Sequence, residues 1–265
     1  MKLKVSSSLP QFKERAERTW GLKPWEGVND PDNELLFFGL YHERDYAVFD
    51  NFKGKKFVFW GGGDIVRLVE DYERKRILKN HPDTEHFCEN EIEAINLRNA
   101  GIEPKVVPSF LDDINKYQPI FKEGKKKVWM CAHVEREEEY GIPLAIRMAE
   151  LYQEIEFHIY GVDGESTKNV IYHGHIPEEQ LNEEIKDYHC GFRPNHHDGF
   201  SEVTAKSILL GQYPISKIEY PHVMTYKTEQ DLKNCFDSLL TKTEPNLEAR
   251  KYWVSVLNKF IWCTK

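Results

Sequence analysis

Between Arg193 and Ile215 the chain reads as a strand end, a polar loop, a short helix and another strand. The loop is Pro-Asn-His-His-Asp-Gly-Phe, residues 194–200, and Ser201 follows it as a helix N-cap. The N–H groups of a first helical turn favour an anion such as a diphosphate, and Gly199 lets the backbone approach it closely. Gly211 closes that helix and Pro214 restarts the chain. A second chemical run is Gly61-Gly62-Gly63-Asp64, at the end of an apolar stretch. Its glycines let backbone N–H groups meet a ligand. Asp64 either orients or deprotonates a hydroxyl, or simply caps the helix that starts beside it. Eleven histidines raise the question of a metal. His81, His86 and Cys88 lie near one another, His173 and His175 alternate, and His196 and His197 are adjacent, yet no spacing supplies a complete ligand set. No metal is expected.

Elements that would position these groups follow from hydrophobic periodicity. In the first half, strands are expected at 35–39, 56–60, 85–88 and 105–107, and helices at 42–52, 65–78 and 89–100. In the second, strands are expected at 128–132, 156–160, 170–173, 189–192 and 213–216. Helices there cover 143–152, 177–186, 201–210, 228–240 and 246–262. Strands alternating with helices imply parallel sheets, hence an α/β fold with two Rossmann-like lobes. Residues 1–110 form the first lobe, 111–127 a linker, 128–245 the second lobe, and 246–265 a terminal helix. Ligands of open α/β sheets bind beyond the carboxyl ends of the strands, which directs attention to the cleft between two such lobes.

The 265 residues carry a formal charge of -8, with an isoelectric point near 5.8. That argues against a broad nucleic-acid-binding face. Lys53, Lys55 and Lys56 with the run Lys125–Lys127 could serve an anionic acceptor, the last three reading equally as a solvated hinge. No window is apolar enough to span a bilayer and the first ten residues lack a signal-peptide core, so a cytoplasmic location is expected. Five scattered cysteines without a Cys-x-x-Cys pair suit reduced, packed thiols. Trp20, Trp25, Trp60 and Trp129 could stack on a sugar or base, Trp60 fitting a core better.

Phe157-His-Ile-Tyr-Gly161, then Asn169 to Leu181, then Asp198-Gly-Phe-Ser201 to Gly211, resemble in order and spacing the nucleotide-sugar lobe of GT-B glycosyltransferases of the retaining, family-4-like kind. The likeness covers about residues 128–240; a shortened first lobe is carried by 59–65 and 101–108. The resemblance implies transfer of a sugar from a nucleoside diphosphate donor to a hydroxyl acceptor, a glycan or other small or lipid hydroxyl compound, without a metal. Asp198, Gly199, Phe200 and Ser201 would then lie against the donor sugar and diphosphate. His175 and Ile176 would meet the base, and Gly161 would let the sheet edge approach the nucleotide.

Within that reading, Arg193 and Arg136 are candidates to neutralise the leaving diphosphate. Arg193 alternatively pairs with Asp198, and Arg136 alternatively belongs to a solvated charge run. His197 could bond a sugar hydroxyl or phosphate, and His86 faces either an acceptor or the core. Gly61, Gly62 and Gly63 belong to the acceptor side. One position departs from the family pattern: Lys206 stands eight residues after Asp198, where relatives carry a carboxylate that contacts ribose hydroxyls. Lys206 either meets phosphate or a sugar carboxylate, or pairs with Glu202 one helical turn back. The rival readings are a glycosyltransferase acting on hydroxylated bases of viral DNA, a nucleotide-sugar-binding protein without turnover, and a nucleotide-sugar epimerase or hydrolase.

Overall fold

A computed structural model describes residues 1–27 and 33–257. Those residues form two compact units. The first takes in Met1–Asp113, His197–Phe200, and Val256 with Leu257; the second takes in Ile114–His196 and Ser201–Ser255.

The first unit runs β1 (Lys2–Val5), α1 (Lys13–Trp20), β2 (Lys23–Pro24), β3 (Glu34–Phe38), α2 (Glu43–Asn51), β4 (Lys55–Phe59), α3 (Gly63–Glu70), α4 (Tyr72–Lys79), β5 (Glu85–Cys88), α5 (Glu91–Asn99) and β6 (Pro104–Val106). Its six strands are all parallel, in the order β2-β1-β3-β4-β5-β6. Both faces of this sheet are buried, which is why β3 is apolar without interruption. Leu35 and Phe37 enter the core on one face; Leu36 and Phe38 enter that on the other.

In the second unit the order is β7 (Lys126–Cys131), α6 (Ile142–Leu151), β8 (Ile155–Tyr160), β9 (Val170–Gly174), α7 (Glu178–Glu184), β10 (Cys190–Arg193), α8 (Glu202–Leu209), β11 (Ile215–Ser216), β12 (Met224–Thr225), α9 (Glu229–Leu240) and α10 (Leu247–Leu257). Its sheet is again six-stranded and parallel, in the order β12-β11-β10-β7-β8-β9. Phe157 and Ile159 of β8 face an apolar core shared with α6 and α9. His158 and Tyr160 point to the opposite face, where a polar cluster forms.

Several elements differ from expectation. β1, α1 and β2 occupy the polar start of the chain, where Leu3, Ala16 and Trp20 are the buried anchors. The helix expected over 65–78 is two helices: Asp71 is extended and its carboxylate accepts from Arg74 N at 3.1 Å, capping α4. Periodicity alone carried across that break. Lys126 and Lys127 are the first residues of β7, and Lys126 is buried with Nζ donating to Lys242 O at 2.7 Å, so this lysine is not solvated. The last part of the helix expected over 246–262 lies outside the described residues. Cys88, Cys131, Cys190 and Cys235 carry free thiols, and no helix among the described residues is long and apolar enough to cross a membrane.

Candidate active site residues at the strand ends

In the first unit the carboxyl ends of β3, β4 and β5 meet the start of α3. Gly62 has φ of 85° and sits where a Cβ would come within 3.2 Å of Glu93 Oε1. The turn therefore needs glycine for both conformation and space. Asp64 is fully buried. Its Oδ2 accepts from Leu40 N at 2.9 Å, while Oδ1 accepts from Gly61 N and Ile65 N, each at 3.0 Å. The carboxylate thus ties the ends of β3 and β4 to the first turn of α3. Burial raises its pKa to about 6 against those bonds.

Glu89 and Asn90 follow the end of β5, and the helix expected from 89 onward begins only at Glu91, with Asn90 as N-cap. That frees Glu89. Its Oε1 accepts from Ser109 N at 3.2 Å and from the Ser109 hydroxyl, and its Oε2 accepts from Phe200 N at 2.9 Å. Asn90 Nδ2 donates to Asp198 O at 2.7 Å. A Cβ on Gly199 would overlap Glu89 Oε2. Asp198, Gly199 and Phe200 are therefore held by main-chain bonds to the end of β5. Enclosure pushes Glu89 up to about 7, with Asp198 adding to the effect. Glu93 accepts from Glu89 N at 2.7 Å through Oε2, leaves Oε1 buried without a partner, and is raised well above the carboxylate range by burial and by Glu89. A helix-leading carboxylate at a strand end was the signal available in the sequence.

His86 is not open to a ligand. It is buried, accepts from Trp60 Nε1 at 3.3 Å and stacks on that indole, and burial lowers its pKa to about 4. His197 is exposed.

In the second unit β10 delivers Arg193 and α8 begins directly after Ser201, whose Oγ accepts from Thr204 N at 3.2 Å. The Arg193 guanidinium reaches Cys131 O at 3.4 Å and lies over the Tyr140 ring at 4.7 Å. Arg136 shares that ring at 5.4 Å and is forked onto Glu139. Lys206 is only 2% exposed in its side chain, its Nζ lying 2.9 Å from Glu178 Oε1 and 3.3 Å from Glu202 Oε2. Glu178, from α7, was not singled out in the sequence because its partner is 28 residues away. Gly161, with φ of 88°, brings the end of β8 against Ala132 O, where a Cβ would overlap. His175 is exposed and Ile176 half-buried in the turn between β9 and α7.

The structure thus groups Asp64 and Gly61–Gly63 with Glu93, and Asp198–Phe200 with Glu89, in the first unit; it groups Ser201, Glu202, Lys206 and Arg193 in the second. Among the described residues no cluster of three or more His, Cys, Asp or Glu could hold a metal ion. Lys55 pairs with Glu85 at 2.7 Å and Lys125 with Glu156 at 3.3 Å. The basic residues a nucleic-acid acceptor would need are to that extent engaged.

No protein-family model matches the sequence, and no curated protein does. Solved structures do. Sucrose-phosphate synthase from Thermosynechococcus elongatus superposes at a TM-score of 0.67 and 12% identity, over 97% of this chain and 75% of its own. HepE from Anabaena, solved in complex with UDP and glucose, gives 0.59 and 12% over 94% and 79%. TarM of S. aureus gives 0.58 and 14% over 88% of this chain and 55% of its own, so this chain spans little more than half of TarM. At such identities the likeness establishes architecture: two six-stranded parallel α/β units in the GT-B fold of these glycosyltransferases.

Proposed function

We propose that the protein is a glycosyltransferase that moves a sugar from a nucleoside diphosphate donor to a hydroxyl acceptor, without a metal and with retention. The observation that carries this reading is the β10–α8 junction. There Ser201 caps a helix whose amino end follows Arg193 by one loop, in a fold shared with a protein solved with UDP and glucose.

When the bond between sugar and diphosphate breaks, negative charge collects on the leaving phosphate. A helix amino end and a guanidinium offset that charge in place, because both are fixed before the reaction begins. Arg193 has its guanidinium braced by Cys131 O and the Tyr140 ring, so it can act without reorganising. Lys206 is too enclosed to be the primary phosphate contact; in this reading it holds Glu178 and Glu202 in position. Asp64 is likewise a brace, its oxygens committed to three backbone N–H groups. In a retaining front-face transfer the departing phosphate accepts the acceptor's proton, so the reaction does not require Asp64 as a base.

The test is to incubate purified protein with UDP-, GDP- and ADP-sugars and to measure binding by calorimetry and release of nucleoside diphosphate. Arg193→Ala should weaken nucleotide binding by about 1.5–3 kcal/mol, the range for a charged hydrogen-bond partner. Absence of binding to any of the three nucleotides would remove the proposal.

A further inference from the structure

Five side chains on the polar face of the second sheet close into a ring. Tyr160 OH donates to Glu184 Oε2 at 2.8 Å and lies 2.7 Å from Tyr188 OH. Tyr188 OH is 3.0 Å from His158 Nδ1, which is 2.9 Å from His173 Nε2. His173 Nδ1 faces Glu184 Oε2 at 3.6 Å, an electrostatic contact beyond hydrogen-bond distance that completes the circuit. His173 reaches its place through a bulge: β8 and β9 pair regularly as far as Ile159 and Tyr172, then Tyr160 pairs with Gly174. The extra residue re-aims His173 so that it stacks on Tyr160 at 4.2 Å and on His158 at 5.2 Å.

Donor counting gives one self-consistent placement of the protons. Tyr160 spends its only proton on Glu184, so Tyr188 must donate to Tyr160. The Tyr188 oxygen can then only accept from His158 Nδ1–H. His173 Nε2 faces that same proton and must be an acceptor, which puts the His173 proton on Nδ1, toward Glu184. His158 Nε2 is buried without a hydrogen bond and faces Glu156 Oε2 at 3.6 Å. Tyr160, Tyr188 and His158 each donate a hydrogen bond, Glu184 only accepts, and the His173 Nδ1–H is turned toward Glu184, with both imidazoles neutral. The charged groups around them are Glu156 of β8, Lys127 of β7, Glu184 of α7 and Asp187 beside Tyr188. Burial outweighs their attraction and keeps both histidines below their usual range.

The ring spans the two stems of one turn. His173 closes β9 just before Gly174-His-Ile-Pro177, and Glu184 ends α7, which that turn feeds. We propose that this ring is a positioning device for the 174–177 turn, with His173, Tyr160 and Glu184 setting the geometry by which the turn receives the base of a nucleotide. The second half of that statement rests on the function proposed above; the ring itself does not.

The experiment has two arms. Nitrogen-15 NMR of the histidine side chains at pH 7 should show His158 and His173 both neutral and both in the Nδ1–H form, a tautomer that free imidazole disfavours. An Nε2–H signature for His173 overturns the ring. Tyr160→Phe and Tyr188→Phe keep the packing and remove one hydroxyl each; either should release the His158 tautomer and speed hydrogen exchange at residues 174–181. In the binding arm, Tyr160→Phe and His173→Gln should raise the nucleotide Kd about tenfold while leaving kcat at saturating donor unchanged, whereas Glu184→Gln, which keeps an acceptor for Tyr160, retains most of the affinity. An unaltered Kd in Tyr160→Phe with faster exchange in the turn overturns the positioning role. If the wild-type protein binds no nucleotide while its tautomers and exchange behave as described, the functional reading fails and the ring stands.

Discussion

The enclosed acids of the first unit should make its stability fall as pH rises. Glu89 has an ordinary pKa of 4.5 and is raised to about 7 in the folded unit. A raised carboxyl pKa means that the folded state holds the proton more tightly than the unfolded chain. The associated stability is complete below pH 4.5 and is lost as pH climbs through 7. Ionising Glu89 in place costs about 3 kcal/mol in total, of which about 2 kcal/mol is lost between pH 5.5 and 8. Asp64, raised from 3.8 to about 6, adds a smaller loss in the same direction over that interval. Glu93 acts the same way. His86, buried neutral with its pKa lowered to about 4, opposes them. The cleanest quantity is therefore a difference between variants. Native-state hydrogen exchange at Leu36, Phe37 and Val58, in the buried centre of the first sheet, gives that unit's stability directly. Going from pH 8 to pH 5.5, the wild type should gain about 2 kcal/mol more than Glu89→Gln does. Equal pH responses in the two proteins would refute the assignment, as would a Glu89→Gln response steeper than wild type.

Further consequences are equally specific. Gly199→Ala should cost about 2–3 kcal/mol, because its Cβ and Glu89 Oε2 claim one space and Phe200 N loses its acceptor; most of that cost should disappear when urea unfolding is repeated in a Glu89→Ala background. Asp64→Asn places an amide N–H against a backbone N–H and should lower stability by about 1–3 kcal/mol despite removing a buried charge, read as a shift in thermal midpoint. Lys206→Glu should destabilise the second unit more than Lys206→Ala, since three carboxylates would then face one another, and Glu178→Lys should rescue the first variant but not the second. Below pH 6.5 the second unit should weaken, by about 2 kcal/mol at pH 5, because His158 is lowered to about 4 by burial and then by His173 and must be charged in the unfolded chain. Hydrogen exchange at Val128 and Ile159 would register that loss, and a His158→Phe variant should not show it.

What the sequence disclosed and what it hid divide along physical lines. Uninterrupted apolar runs such as Leu35–Phe38 and the alternation of strand and helix patterns declare a doubly covered parallel sheet, because burial on both faces leaves no other composition workable. Capping chemistry was legible at Ser201, but not at Asp71 or Asn90, whose caps fall within runs that read as continuous helix. Short edge strands such as β2 and β12 escape, since two residues carry no period. Asp71 breaks a helix whose apolar rhythm continues on the far side, so only the geometry of its cap reveals the break. The groups most tied to chemistry were the least visible, because their partners are remote: Lys206 with Glu178, Glu89 with Phe200, His158 with His173. A single sequence states which residues can ionise; which of them share a buried space is a property of the sheet order.

The two sets of strand ends differ in charge, and that difference bears on the proposed reaction. In the first unit Asp64, Glu89, Glu93 and Asp198 gather around a glycine turn, and each of the three enclosed acids is biased toward its neutral form. An anion placed there would oppose residual carboxylate charge in a medium that screens poorly. A neutral polyol would not. At the strand ends of the second unit, Arg193 and the capped start of α8 supply positive potential, while the acids nearest them are already matched to Lys206. On the function proposed above, this difference in charge is the one expected if the donor diphosphate binds at the second unit and an uncharged hydroxyl acceptor at the first. An acceptor that carries phosphate or carboxylate beside its reactive hydroxyl should accordingly be used at least about tenfold less well than its neutral analogue at pH 8, and the gap should narrow toward pH 5.5 as Glu89 and Asp64 take up protons.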